Sequence, residues 1–253
     1  MSVIQRVLTR LRPALSLGRA QGLIVCAVPR SGSNYLSQLM ESTGVLGIPR
    51  EYFNGPGRRH YDDPNYPDDP RAQLALIRSR GATPNGIYGL KIHPFQVEAL
   101  KATLDPFTEL PGARAVLLRR GDLLAQGISW ARVQQTKQHR ASDAQHKAPT
   151  YDSKLIRKST EFIERQNRFW RKYLKRRGIV PVQILYEDLY RDPQAQIDRI
   201  RSFIGLREAA PIDTSLISVT VQRNESSEEW RQRFITEGHW DEMQAAFAAR
   251  GKR

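Results

Sequence analysis

Residues 29–34 read Pro-Arg-Ser-Gly-Ser-Asn and follow directly on the apolar run Gly-Leu-Ile-Val-Cys-Ala-Val at 22–28. A strand that stops at a proline, a cluster of small residues and the start of a helix together make a turn able to cradle an anion. Ser31, Gly32 and Ser33 let the backbone come close to a phosphate-like group. The first N–H groups of the helix point at such a group, with the positive end of the helix dipole behind them. Arg30 adds a full charge. The stretch is not a Walker A loop: that loop needs GxxxxGK[ST], and no lysine follows Gly32, so the chemistry should differ from that of an ATPase.

The elements that must position this turn alternate along the chain. Strands are expected at 22–28 (GLIVCAV), 86–93 (GIYGLKIH), 113–120 (ARAVLLRR) and 179–189 (IVPVQILYEDL), the last limited at its start by Pro181. Helices are expected at 33–44, 71–81, 94–104, 121–138, 159–178 and 192–206, and over most of 226–251. The helix at 159–178 is strongly amphipathic, with Phe162, Ile163, Gln166, Phe169, Trp170 and Tyr173 along one side. Residues 54–70, rich in Pro, Gly and Asp, read as an insertion loop, and residues 136–154 as a polar, mobile one. Strands alternating with helices predict an α/β fold with a central, mainly parallel sheet flanked by helices. In such sheets ligands bind at the carboxyl ends of the strands, where the turn after the first strand lies. No internal repeat or linker divides the chain, so 21–253 is expected to be a single domain.

The chain has 253 residues and a net charge of +14 at pH 7. The length suits one core of generous size, and the charge predicts an anionic partner. Its one cysteine, Cys26, excludes a disulfide framework and fits a reducing compartment, so a cytoplasmic location is expected. No stretch approaches the roughly 20 apolar residues of a membrane span. Residues 1–20 form a basic amphipathic segment with Ile4, Val7, Leu8 and Leu11 at helical spacing. It has the composition of a short interfacial helix at the inner face of an anionic membrane, although a helix packed on its own domain is the plainer expectation.

The stretch PRSGSNYLSQLMESTGVLGIPREYFN closely resembles the start of PAPS-dependent sulfotransferases, and most nearly the bacterial trehalose 2-sulfotransferase-like family. Members of that family carry a QRSGST loop, a helix ending in ATG, and then GEPQEFF. The resemblance recurs at YGLKIHPFQ, at RRGDLLAQGISWARVQQT and at SSEEWRQRF, in the family's order over about residues 22–235. It implies a P-loop nucleotide-kinase-like fold and transfer of a sulfuryl group from PAPS to a hydroxyl of a carbohydrate or glycolipid, releasing PAP. Such transfer is an in-line displacement governed by positioning and charge stabilisation, with no metal expected.

By resemblance, Arg30, Ser31, Gly32, Ser33 and Asn34 hold the 5′-phosphosulfate, with Arg30 stabilising the leaving oxygen and Lys91 nearby. The family has Thr where Asn34 stands. Arg120 and Ser129 match the residues for the 3′-phosphate, and Arg223 is expected to reach the nucleotide from the C-terminal segment. Two residues compete as the base. Glu51 matches the first Glu of the family's EFF stretch. His93 stands in KIHP, similar to the KTHxP segment of cytosolic animal sulfotransferases, in which the histidine is the base. The family's Gln before Arg-Ser-Gly is Pro29 here, and the Glu of GEPQE is Ile48. Both should flank the acceptor, and their loss argues against trehalose. The resemblance leaves a homodimer open. Two other readings compete with this one. A P-loop-like small-molecule kinase is disfavoured by the missing lysine. A basic nucleic-acid-binding protein is disfavoured because no recognition module is found, so no nucleic acid is expected.

Overall fold

A computed structural model describes residues 21–139, 143, 148–219 and 225–251. The basic segment 1–20 and Arg223 lie outside the described residues. The elements run β1 (Gly22–Cys26), α1 (Ser33–Ser42), α2 (Gly55–Tyr61), α3 (Pro70–Arg80), β2 (Tyr88–Ile92), α4 (Pro94–Leu100), α5 (Pro106–Glu109), β3 (Ala113–Arg119), α6 (Leu123–Thr136), α7 (Ser153–Arg176), β4 (Val182–Leu185), α8 (Tyr186–Arg191), α9 (Pro193–Phe203), α10 (Glu225–Thr236) and α11 (His239–Gly251).

The four strands form one parallel sheet in the order β2-β1-β3-β4. Helices cover both faces, so β1 and β2 are buried along their whole length and read as near-continuous apolar runs. Side chains alternate across the sheet. Leu23 and Val25 join a core with Leu36, Met40, Ile184, Ile197 and Ile200. Ile24 and Cys26 join the opposite core with Leu90, Ile92 and Trp170. Burial pushes the Cys26 thiol well above its ordinary pKa, which leaves it inert. The last pairing level puts Cys26 beside Ile92 and Leu117, so the chain leaves β1, β2 and β3 close together at the carboxyl edge. β1 sits where the strand order reverses, the usual ligand crevice of an open α/β sheet.

Two sequence expectations are corrected. The stretch 54–70 is not wholly loop, because Gly55–Tyr61 is helical. Asn54 caps it by accepting a hydrogen bond from the Gly57 N–H, and Pro56 falls in the first turn, where no intrahelical donor is lost. The turn residues that read as loop are the helix start. The fourth strand ends at Leu185, and Tyr-Glu-Asp-Leu opens α8 instead. There the Glu187 carboxylate accepts the N–H groups of Gly121 and Asp122, which ties the chain to the start of α6.

α6 and α7 hold the sheet on one side. They meet at Gly127, where a Cβ would lie 2.0 Å from Thr160 Oγ1. The apolar face expected for α7 is the buried one: Ile163, Gln166 and Trp170 are buried, with Phe162, Phe169 and Tyr173 packed against them. Trp170 is fully buried and donates from Nε1 to the Ala27 carbonyl at 2.9 Å. Among the described residues, no helix is long and apolar enough to cross a membrane.

Candidate active site

The turn after β1 is held from several sides. The Ser31 N–H donates to the Val28 carbonyl at 3.2 Å. Arg30 has φ 61° and Gly32 φ 84°. The left-handed region costs a non-glycine residue about 1–2 kcal/mol, so Arg30 needs external support. It finds that support in α6 and in the residues just beyond β3 and α6. Arg30 Nε donates to Ser129 Oγ at 2.9 Å, and a terminal nitrogen donates to the His139 carbonyl at 3.2 Å. Gln126 donates to the Pro29 carbonyl at 2.7 Å, and Arg120 to the Arg30 carbonyl at 3.4 Å. Gly32 is the N-cap of α1, with no side-chain cap and no acidic residue in the first turn. A Cβ there would meet the Tyr186 ring at 2.3 Å, so only glycine fits both the backbone and the neighbour.

A cavity of about 1230 Å³ opens over this turn. Arg30, Gly32, Ser33, Asn34, Lys91, Arg120 and Ser129 line it, together with Glu51. Ser31 is fully buried beneath them. The pairing of the cations separates two regions. Arg50 pairs with Glu41 at 3.0 Å, and Arg58 pairs with Asp62. Among the described residues neither Arg30 nor Arg120 has a carboxylate partner. Instead they face each other, and burial together with the Arg120 charge lowers the pKa of Arg30. Arg120 stacks over the Tyr186 ring, 5.0 Å from its centroid. Ser31 Oγ and Arg120 Nε are buried without a hydrogen-bond partner. Unpaired like charges and orphaned donors around an uncapped helix start form a site suited to an anion.

Glu51 stands across the cavity. Its Oε1 lies 3.1 Å from Lys91 Nζ and 3.5 Å from His93 Nε2. Its Oε2 accepts from Asn54 at 3.2 Å and from Gln96 at 3.3 Å. Burial alone would raise its pKa, but the Lys91 charge, joined by His93 when that ring is protonated, outweighs burial and holds the carboxyl well below the usual carboxylate range. Lys91 also donates to Asn34 Oδ1, so β2 links the turn to the carboxylate. His93 does not line the cavity. It is 5% exposed and occupies the N-cap position of α4.

The structure therefore brings together Arg30, Ser31, Gly32, Ser33, Asn34, Lys91, Arg120, Ser129 and Glu51, with His93 directly behind Glu51. Arg223 lies outside the described residues, while Ser218 and Val219, just before it, line the same cavity. Neither Pro29 nor Ile48 is among the lining residues; the Pro29 carbonyl is taken up by Gln126. The case against trehalose built on those two positions thus has no contact behind it here. Sequence reasoning missed Tyr186, whose ring supports both Gly32 and Arg120, because Tyr-Glu-Asp-Leu read as the end of a strand. It also missed α2, which brings Gly57, Arg58 and Tyr61 to the cavity.

The model of the Stf0 sulphotransferase family matches residues 22–237. A trehalose 2-sulfotransferase of Mycobacterium tuberculosis (strain ATCC 35801 / TMC 107 / Erdman) is 27% identical over 261 residues, covering 85% of this chain and 94% of the relative. The enzyme of the same name from Mycolicibacterium smegmatis (strain ATCC 700084 / mc(2)155) is 24% identical, covering 86% and 96%. The solved sulfotransferase domain of the Synechococcus PCC 7002 olefin synthase is 16% identical with a TM-score of 0.41, covering 86% of this chain and 95% of that one. With the family model spanning the sheet, the turn after β1 and the carboxylate opposite it, the chain belongs to the Stf0 sulphotransferase family.

Proposed function

We propose that this sulfotransferase uses PAPS as donor and sulfates a hydroxyl of a carbohydrate or glycolipid, releasing PAP. The observation that carries the reading is the pair of guanidiniums at the turn that have no carboxylate partner among the described residues, facing a buried carboxylate across one cavity. A donor with two phosphate groups fits the residues present. The orphaned Ser31 hydroxyl and Arg120 Nε both need a partner, and Ser129 still has its own O–H to donate after accepting from Arg30.

When bound, PAPS supplies the sulfuryl group and a phosphate leaving group. Arg30, Lys91 and the N–H groups opening α1 hold the 5′ end, where negative charge builds as the sulfur–oxygen bond breaks. Arg120 and Ser129 take the 3′-phosphate, and Arg30 and Ser129 brace each other through their hydrogen bond. Glu51 accepts the proton of the attacking hydroxyl as that oxygen bonds to sulfur. Once the donor's charge engages Lys91, Glu51 loses part of the stabilisation that keeps it a weak base.

The acceptor side is lined by Asn54, Tyr61 and the ion pairs Arg50–Glu41 and Arg58–Asp62. Its charges are already matched, which favours a neutral polyhydroxyl group over an acidic glycan. The test is incubation with sulfur-labelled PAPS and a panel of neutral and acidic sugars. Labelled sulfate ester formed from the neutral sugars by wild type, reduced roughly 10²- to 10⁴-fold in Glu51→Gln, is expected. Label transferred only to acidic sugars contradicts the acceptor assignment, and equal transfer by Glu51→Gln contradicts the base.

A further inference from the structure

The ring of His93 has its two nitrogens committed differently. Nδ1 lies 3.1 Å from the Ala27 carbonyl, which can only accept, so Nδ1 carries a proton. The same carbonyl accepts from Trp170 Nε1 at 2.9 Å, which fixes the oxygen and with it the plane of the ring. Phe95 stacks on the imidazole, centroids 5.4 Å apart. In the neutral ring Nε2 must then be a bare acceptor, and it faces Glu51 Oε1 at 3.5 Å. In that form Nε2 is vacant and lies within reach of a proton that arrives on Glu51.

The groups around the ring are few. Glu51 faces it from the segment after α1, and Lys91 on β2 reaches the same Oε1. Gln96 on α4 accepts the His93 backbone N–H at 2.8 Å and donates to Glu51 Oε2. The Ala27 carbonyl and the Phe95 ring, both uncharged, contact it as well.

Resting on the proposed role of Glu51 as base, we infer that His93 is a positioning residue that receives, at Nε2, the proton Glu51 removes from the attacking hydroxyl. The steps balance. The acceptor O–H proton moves to Glu51 as its oxygen bonds to sulfur and the bond from sulfur to the phosphate oxygen breaks. The proton passes from Glu51 to Nε2, giving an imidazolium held by the Ala27 carbonyl and the restored carboxylate. It returns to solvent after the products leave. An imidazole is by nature about two units more basic than a carboxylic acid. Glu51 itself, held low by the Lys91 charge beside it, stores a proton poorly.

The test needs no acceptor sugar, because water can serve: PAPS hydrolysis to PAP and sulfate is followed from about pH 5 to 9, the range in which imidazoles titrate. Wild type should show an acidic limb, with the rate falling as His93 becomes protonated before turnover. His93→Gln should lose that limb and turn over about 10- to 100-fold more slowly near neutrality, with PAP affinity and melting temperature near wild type. An unchanged limb in His93→Gln overturns the inference.

Nitrogen-15 spectra of the wild-type ring with PAP bound give a second reading that survives a variant that fails to fold or hydrolysis too slow to follow. The Nδ1–H neutral tautomer, whose titration moves when Glu51 is replaced by Gln, supports the inference. An Nε2–H tautomer, or a titration indifferent to Glu51→Gln, overturns it. Loss of PAP binding by wild type would instead sink the donor assignment on which the inference rests.

Discussion

At the scale of single residues, the site is governed by where charge is matched and where it is not. Arg50 and Arg58 have carboxylate partners, whereas Arg30 and Arg120 have hydrogen bonds to neutral groups and a stacked tyrosine. Lys91 is shared between the turn and Glu51. Because the Glu51 carboxyl is held low, the charged form stabilises the fold. That contribution is complete above the unfolded value of about 4.3 and is lost as pH falls through the lowered folded one. Glu51→Gln should therefore lose less stability than wild type between pH 6 and about pH 3, as read from urea midpoints; equal losses would mean the ion pair contributes nothing. Lys91→Met removes the main favourable partner. It should weaken donor affinity and narrow the stability difference between wild type and Glu51→Gln.

At the scale of elements, the turn depends on its neighbours. Gly32→Ala puts a Cβ into the Tyr186 ring at a φ of 84°, so PAP affinity should fall about tenfold or more for a cost of roughly 1–2 kcal/mol in the backbone. Tyr186→Ala in the same variant should recover part of that loss if the clash is its cause. Gly127→Val, forced against Thr160, should destabilise by about 1–3 kcal/mol through overpacking, seen as a lower urea midpoint, with PAP contacts untouched in the variant that folds.

The alternation of strands and helices, the buried face of α7 and the tight turn from β1 into α1 were legible because each rests on local pattern: apolar runs, helical spacing, small residues after a strand. α2 was not, since Asn-Gly-Pro-Gly reads equally as a turn, and only Asn54 bonding Gly57 shows it as a cap. The end of β4 was hidden for a different reason. Glu187 reaches back 66 residues to Gly121, and no local pattern reports a contact of that range. The same limit kept the geometry of Glu51 and His93 out of reach. Their sequence contexts suggest a base at each, but only the folded chain puts one behind the other.

At the scale of the whole molecule, a net charge of +14 surrounds a cavity whose unpaired cations gather at the carboxyl edge of the sheet. Long-range attraction should speed capture of an anionic donor, and added salt should slow it. The PAP association rate measured by stopped flow should fall steeply between low and physiological ionic strength; a flat salt dependence would assign the charge to another partner.

Donor binding at the turn and at Arg30 and Arg120, which have no carboxylate partner among the described residues, is the property on which the proposed chemistry depends. It is tested most directly by titration calorimetry with PAP, in magnesium and in chelator, on wild type, Arg30→Ala and Arg120→Ala. The same binding is expected in both buffers, weakened about 10- to 100-fold by each substitution, since each removes a charge-assisted contact of roughly 1.5–3 kcal/mol. Absence of PAP binding by wild type, or affinity indifferent to both substitutions, would contradict it.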